Sequence, residues 1–312
     1  MNKFLSAMLL LVMANLAGAR ELFEDLNFSK GLYLSATDSR AKPVEVGVIF
    51  NDGKEKPSWR LAQWGTRYSL EGVKAESKNN ALILENEGKR FALIKDPKGG
   101  IRVELFVKGG AEYDGKLRKQ GEPWPHLLIE QSIQNAPMLK DIISFKVSFD
   151  VLIYPPQKKY PGAFDKGLHA AQFVMFFTIQ NLNKKSEGYG DYLWFGVPIY
   201  DVRHKFAPAH RAKDGGKADA TQKYIYALDG AAFWKKPLGD GKWGRFDADL
   251  LSYAKEAFED AKAKGYLKSS AYEDMHISGM NTGWEVTANY DARAEFKNLS
   301  AKVEYVDSDP AK

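Results

Sequence analysis

"DIISFKVSFDVLIY", Asp141 to Tyr154, alternates from end to end. Ile143, Phe145, Val147, Phe149, Val151 and Ile153 share one side of an extended chain, with Ser144, Lys146, Ser148 and Asp150 on the other. Successive side chains of a strand point to opposite faces, so the pattern predicts a strand with one face in a core and one in water. The next apolar stretch, "HAAQFVMFFTIQN" (169–181), repeats the device with Ala171, Phe173, Met175, Phe177 and Ile179 inward. Its other face, Gln172, Val174, Phe176, Thr178 and Gln180, is only semi-polar. In "YLWFGVPIYD" (192–201), Leu193, Phe195, Val197 and Ile199 suit the core, and the opposite set runs Tyr192, Trp194, Gly196, Pro198, Tyr200.

Shorter strands bounded by turn residues surround these three. "VEVGVIF" (44–50) stops at Asn51-Asp52-Gly53, and "ALILENEGKRFALIKDPKGG" (81–100) reads as a hairpin turning at Asn86-Glu87-Gly88. "IRVELFV" ends at Gly109-Gly110, and "HLLIEQSI" and "KYIYALDG" add two more. One helix interrupts them: Leu250, Leu251, Ala254, Ala257, Phe258 and Ala261 keep helical spacing between the Asp247–Asp249 region and Gly265. This order predicts a mainly β protein, an antiparallel jelly-roll β-sandwich with one helix inserted late. The run 206–216, "FAPAHRAKDGG", reads as a long loop beside the aromatic strand.

The chain has 312 residues, no cysteine and a formal charge of +5. Lys3, the apolar run 4–16 and Ala17-Gly18-Ala19 have the form of a secretory signal peptide, so residues 1–19 are expected to be removed. Residues 20–312 are expected to form one β-sandwich domain, with 20–120 as a possible separate smaller sheet. Export without disulfides points to a bacterial periplasmic or secreted protein whose stability comes from its core. Basic and acidic residues intersperse throughout, which argues against a nucleic-acid partner, and no later stretch is long enough to be a transmembrane segment. There is no Gly-rich phosphate loop, H-E-x-x-H, G-x-S-x-G or C-x-x-C, and the five histidines show no metal-binding spacing.

The second aromatic face carries the functional expectation. Sugar rings stack on Tyr and Trp while their hydroxyls need amide and charged partners, so a polysaccharide or oligosaccharide site is an aromatic floor with polar walls. Tyr192, Trp194 and Tyr200 supply the floor; Gln172, Gln180, Glu130, Asp201 and Arg203 are candidate walls. The alternative is that these aromatics form a second core layer under a loop or the helix. Trp284 and Trp243 are expected to be structural. A glycoside hydrolase needs two carboxyl groups, for which Glu130, Asp191, Asp201 and Glu285 are available. A polysaccharide lyase needs a base and a cation beside a uronate, for which Tyr200, Arg203, His204 and His126 are available. An envelope structural or interaction protein is a third possibility.

"ELFEDLNFSKG", "FKVSFDVLI", "GDGKWGRFDADLLSYAKEA" and "GMNTGWEVTANYDARAEFKNLSAKVEY" resemble the first, middle and last strands of galactose-binding-like carbohydrate-binding modules, secreted bacterial jelly-roll proteins. That resemblance implies glycan binding and a structural calcium where the first and last strands meet, with Glu24, Asp25 and Asp291 as its ligands.

Overall fold

A computed structural model describes residues 18–38, 43–215 and 220–306. The expected leader lies outside them except for Gly18 and Ala19. Strands are numbered along the chain. Sheet A contains β1 (Arg20–Glu21), β5 (Glu76–Lys78), β6 (Ala81–Glu85), β7 (Lys89–Lys95), β8 (Ile101–Lys108), β10 (Ile142–Ile153), β11 (Gln157–Lys158), β16 (Trp243–Asp249) and β18 (Tyr290–Tyr305). Sheet B contains β2 (Leu32–Ser35), β3 (Glu45–Ile49), β4 (Trp59–Ala62), β9 (His126–Ser132), β12 (Ala171–Asn181), β13 (Tyr192–Asp201), β14 (His210–Lys213), β15 (Tyr224–Ala227) and β17 (Met275–Val286). Sheet A runs β16-β10-β18-β8-β7-β6-β5, with β1 and β11 also along β18; sheet B runs β14-β15-β13-β12-β17-β9-β4-β2-β3. Pairing is antiparallel except for β13 with β15 and β2 with β4. The fold is a jelly-roll β-sandwich.

The alternating residues meet between the sheets. Phe145 of β10 sits edge-on to Phe177 of β12 at 5.0 Å, and Phe173 packs on Trp284 of β17 at 5.2 Å. Leu193, Phe195, Val197 and Ile199 of β13 belong to the same buried cluster. Each such side chain contributes about 1.5–3 kcal/mol on burial, which fixes which face of every central strand turns inward. Helix α1 (Gly109–Glu112) is a single turn after β8. The late helix α2 (Leu251–Ala263) starts where the Asp249 carboxylate accepts the N–H groups of Leu251 and Phe145, and Gly265 ends it at φ 83°. Ala254, Ala257, Phe258 and Ala261 insert into the core, so α2 closes the sandwich from its inner side.

Several expectations need correction. Ile143 is 59% exposed and Ile142 takes its place in the core, because β10 bulges there against β18. Most of "ELFEDLNFSKG" is loop, with only Arg20–Glu21 paired to β18. The run 206–216 contains the edge strand β14. Strands of the first 120 residues are divided between both sheets instead of forming a separate one. Trp284 is fully buried and donates to the Leu105 carbonyl, whereas Trp243 is 40% exposed on the outside of sheet A.

That outer side of sheet A is a lattice of ion pairs. Glu104 accepts from Arg90 at 2.6 Å and from Arg293 Nε at 2.9 Å. Glu295 accepts from Arg102 and Tyr154, and Asp96 pairs with Lys297 at 2.9 Å. Glu104, Glu295 and Asp96 are almost wholly covered by their partners.

Candidate functional site

The outer side of sheet B is built differently. On β12 it presents Gln172, Val174, Phe176, Thr178 and Gln180, all half-buried, and β13 adds Tyr192 and Trp194. Thr178 stands opposite Trp194 and Gln180 opposite Tyr192. The Trp194 ring lies 6.2 Å from Phe176 at 67° and 5.2 Å from Tyr192 at 84°. None of the three rings belongs to the core cluster. Gly196 is needed here: a Cβ at that position would meet the Phe176 ring at 2.7 Å and Ala227 at 2.8 Å.

The Trp194 ring is held in place. Its indole N–H donates to Thr221 Oγ1, and Asp214 accepts from both the Thr221 amide and its hydroxyl. Lys223 lies 5.2 Å over the Tyr192 ring and pairs with Asp191 at 2.6 Å. Gln180 donates to the Gly190 carbonyl and accepts from Ser278. A platform fixed before binding loses less conformational entropy when it is occupied.

Tyr200 is separated from this group. A bulge at Ile199 shifts the register of β13 against β12, so Tyr200 pairs with Phe173 and turns inward. Its ring packs edge-on to Trp284 at 6.1 Å. Burial pushes its hydroxyl up to about 12, the direction opposite to what a general base at neutral pH requires. Tyr200 is therefore a core-edge residue and does not extend the floor with Tyr192 and Trp194 as expected.

The same bulge brings Asp201 to the outer face beside Gln172, which donates to it at 2.9 Å. Gln172 stands opposite Glu285 on β17, which stands opposite His126 on β9, 3.7 Å from imidazole Nε2 to carboxylate. A polar rank thus crosses four strands at one end of the sheet. Asp201 is covered and gripped by Arg203 through Nε and Nη2, while Arg203 Nη1 donates to the Lys166 carbonyl. Arg203 thus neutralises Asp201 and keeps only part of its guanidinium exposed. His204 is exposed in the following turn.

Glu130 lies on the same face, one strand beyond Asn281 of β17. Arg60 donates to Glu130 at 2.6 Å and to Glu45 at 2.7 Å. Burial raises the Glu130 pKa against the opposing pull of Arg60. Glu285 is four residues from Asn281, so Glu130 and Glu285 are about 13 Å apart along the strand direction. Asp201 and Glu285 flank Gln172 with backbones about 10 Å apart, by two strand spacings.

The three expected calcium ligands do not converge. Asp25 accepts from the Ser29 and Lys30 amides, and Glu24 from Ser58. Asp291 accepts from the Gly110 amide and pairs with Lys159. Glu24 is held beside Gln131 of β9, whose side chain accepts its amide N–H, whereas Asp291 stands opposite Lys108 of β8. Among the described residues no group of three or more His, Asp or Glu side chains is placed to hold a metal ion.

Two sets of residues escaped the sequence reading. Phe176 lay on the correct face but was not assigned to the floor. Trp64 and Trp124 form a second aromatic cluster around His126, itself an expected candidate, at the start of β9, with ring separations of 6.2 Å and 5.9 Å. The available signal was "PWPH": a Trp between two prolines cannot belong to a central strand, so it sits in a loop.

Fold and site together define a class: a jelly-roll β-sandwich with an aromatic and amide strip on one outer face. No family model matches the chain, and no curated protein matches it significantly. It is similar to solved structures that include the endoglucanase cel12A from Rhodothermus marinus, at 11% identity and TM-score 0.39, covering 75% of this chain and 97% of that one. Others are the family 11 xylanase from Neocallimastix patriciarum (8%, TM-score 0.37, 74% and 94%) and the xyloglucanase domain of the Sinorhizobium fredii effector NopAA in complex with cellobiose (13%, TM-score 0.36, 76% and 100%). Among the described residues no helix is long and apolar enough to cross a membrane.

Proposed function

We propose that this protein binds a polysaccharide along the outer face of sheet B. The observation that carries the reading is the placement of Phe176, Tyr192 and Trp194: outside the core, half-buried, held at fixed angles, and bordered by Gln180, Thr178 and Asn281. Helix α2 packs on the inner side, so it does not cover them. Rings of this kind present flat apolar surface to the C–H face of a sugar, and the amides match its hydroxyls.

A second reading, glycoside hydrolysis, has one observation in its favour: Asp201 and Glu285 flank Gln172 at a backbone spacing compatible with carboxyl groups about 5–9.5 Å apart. Against it stands Asp201, already committed to Arg203. One experiment separates the readings. Wild type is titrated with a panel of neutral and uronate-containing polysaccharides, and reducing ends are followed in parallel. Trp194→Ala is expected to weaken binding by about 1–3 kcal/mol with nearly unchanged melting. Trp284→Ala, a core change, is expected to cost about 3–5 kcal/mol of stability. Binding unaffected by Trp194→Ala would sink the proposal, and reducing ends abolished by Glu285→Gln would replace it with the hydrolase.

A further inference from the structure

The aromatic strip does not end at Trp194. Trp194, Thr178, Gly279 and Ser132 form one rank across β13, β12, β17 and β9. His126 is six residues from Ser132, so it lies about 20 Å further along the strands and about 14 Å across, a diagonal of about 25 Å. Half-buried outer residues mark the way: Phe176, then Val174 and Asn281, then Glu285. Just before His126 in the chain, Trp124 and Pro125 line a cavity of about 770 Å³.

That cavity is lined by Trp124, Tyr113, Thr66 and Arg67. Trp124 is fixed from two directions. Its carbonyl meets His126 Nδ1 at 2.9 Å, and Arg118 lies over its ring at 5.2 Å, tethered to the Glu122 carbonyl. Neither Trp124, Trp64 nor His126 belongs to the core cluster. Beneath the cavity, the buried Lys89 and Glu112 hold the Thr66–Tyr68 turn: Lys89 donates to Thr66 and to the Tyr68 carbonyl, and Glu112 accepts from the Arg67 amide at 2.9 Å. The wall that carries Thr66 and Arg67 is therefore rigid.

We infer that the face has two aromatic stations, Phe176–Tyr192–Trp194 and Trp124 in its cavity, and that its ligand is an extended oligosaccharide or internal polysaccharide segment long enough to occupy both. The inference rests on the glycan-binding reading proposed above. Two stations joined by one ligand make the second contact intramolecular, so affinity rises steeply with chain length once the gap is spanned. A disaccharide reaches one station only.

The test is calorimetric titration of wild type, Trp194→Ala, Trp124→Ala and Arg67→Ala with disaccharides and hexasaccharides of β-1,4-glucan, β-1,3-glucan and β-1,4-mannan, with melting curves for each variant. For whichever series binds, Trp124→Ala is expected to weaken the hexasaccharide by about tenfold and leave the disaccharide unchanged, with Arg67→Ala weakening the hexasaccharide by about threefold. Arg67 is exposed, so its variant serves if Trp124→Ala does not fold. Hexasaccharide binding untouched by the cavity variants, or disaccharide binding lowered equally, overturns the two-station inference while leaving the strip intact. Binding indifferent to Trp194→Ala overturns the glycan reading itself.

Discussion

The two outer faces of this sandwich solve the same problem in opposite ways. Each covers a nine-stranded sheet, and each strand offers every second side chain to the outside. Sheet A fills those positions with charges that satisfy one another: Arg90, Glu104, Arg293, Glu295 and Arg102 form a continuous chain. Sheet B fills its centre with Phe176, Trp194, Thr178 and Asn281, all half-buried and none of them charged. The protonation behaviour follows. On sheet A, Lys297 holds the Asp96 carboxyl below its usual range, and Lys108 with Arg90 does the same for Glu85 against the cost of burial. On sheet B, burial raises Glu130. One face is finished by its own side chains; the other has surface to offer a partner.

The sharpest way to break this contrast is to remove a central charge from sheet A. Glu104→Gln leaves Arg90 and Arg293 facing a neutral amide. The loss is expected to be about 2–3 kcal/mol, the low side of breaking a buried pair because both arginines reach solvent. Denaturant titration measures it, and glycan affinity should not change. An unchanged midpoint would show that the lattice is decorative, and a lost affinity would show that the faces are coupled.

The distinction between the faces was only half legible in the sequence. Alternation in "DIISFKVSFDVLIY" and "HAAQFVMFFTIQN" assigned inner and outer sets correctly through most of their length, because burying one face penalises any slip in register. It failed at the bulges. One extra residue at Ile143 and one at Ile199 reversed the faces of what followed or preceded, sending Ile143 to solvent and Tyr200 to the core edge. A bulge depends on what the partner strand does, and period-2 reading carries no information about the partner. The Trp64–His126–Trp124 cluster was hidden for a related reason: its members come from a strand end and a proline-flanked loop, joined only by tertiary packing.

Acid provides a second, smaller test. A carboxylate with a depressed native pKa contributes stability that is complete above its unfolded value and is lost as pH falls through the native one. Glu85, Asp96 and Asp247 are all depressed by basic neighbours on sheet A, so the melting temperature is expected to hold from neutrality down to about pH 5 and to drop below about pH 4. Glu130 acts with the opposite sign: its raised pKa makes the folded state bind the proton more tightly, so acid favours folding at that site. Glu130→Gln should therefore be at least as stable as wild type at neutral pH, and lose that advantage as pH falls through the Glu130 titration. An advantage that grows on acidification would reverse the assignment for sheet B.

The smallest expected effect is the most discriminating, because it places the same residue type on both faces. Trp243 on sheet A and Trp194 on sheet B are both outside the core, and each carries a polar attachment. Lys297 lies 4.8 Å over the Trp243 ring, while Thr221 accepts the Trp194 indole N–H. If any exposed tryptophan on a β-sheet could serve a glycan, truncating either should weaken binding. The difference lies in the neighbours: Trp243 stands among Lys297, Arg245 and Asp150, with no second ring near it among the described residues, and the cation over its ring, Lys297, is already paired to Asp96. Trp243→Ala removes an exposed cation–π contact worth about 0.5–1 kcal/mol, so its melting curve should shift slightly and its glycan titration should overlay wild type. A titration weakened as much by Trp243→Ala as by Trp194→Ala would move the binding face to sheet A.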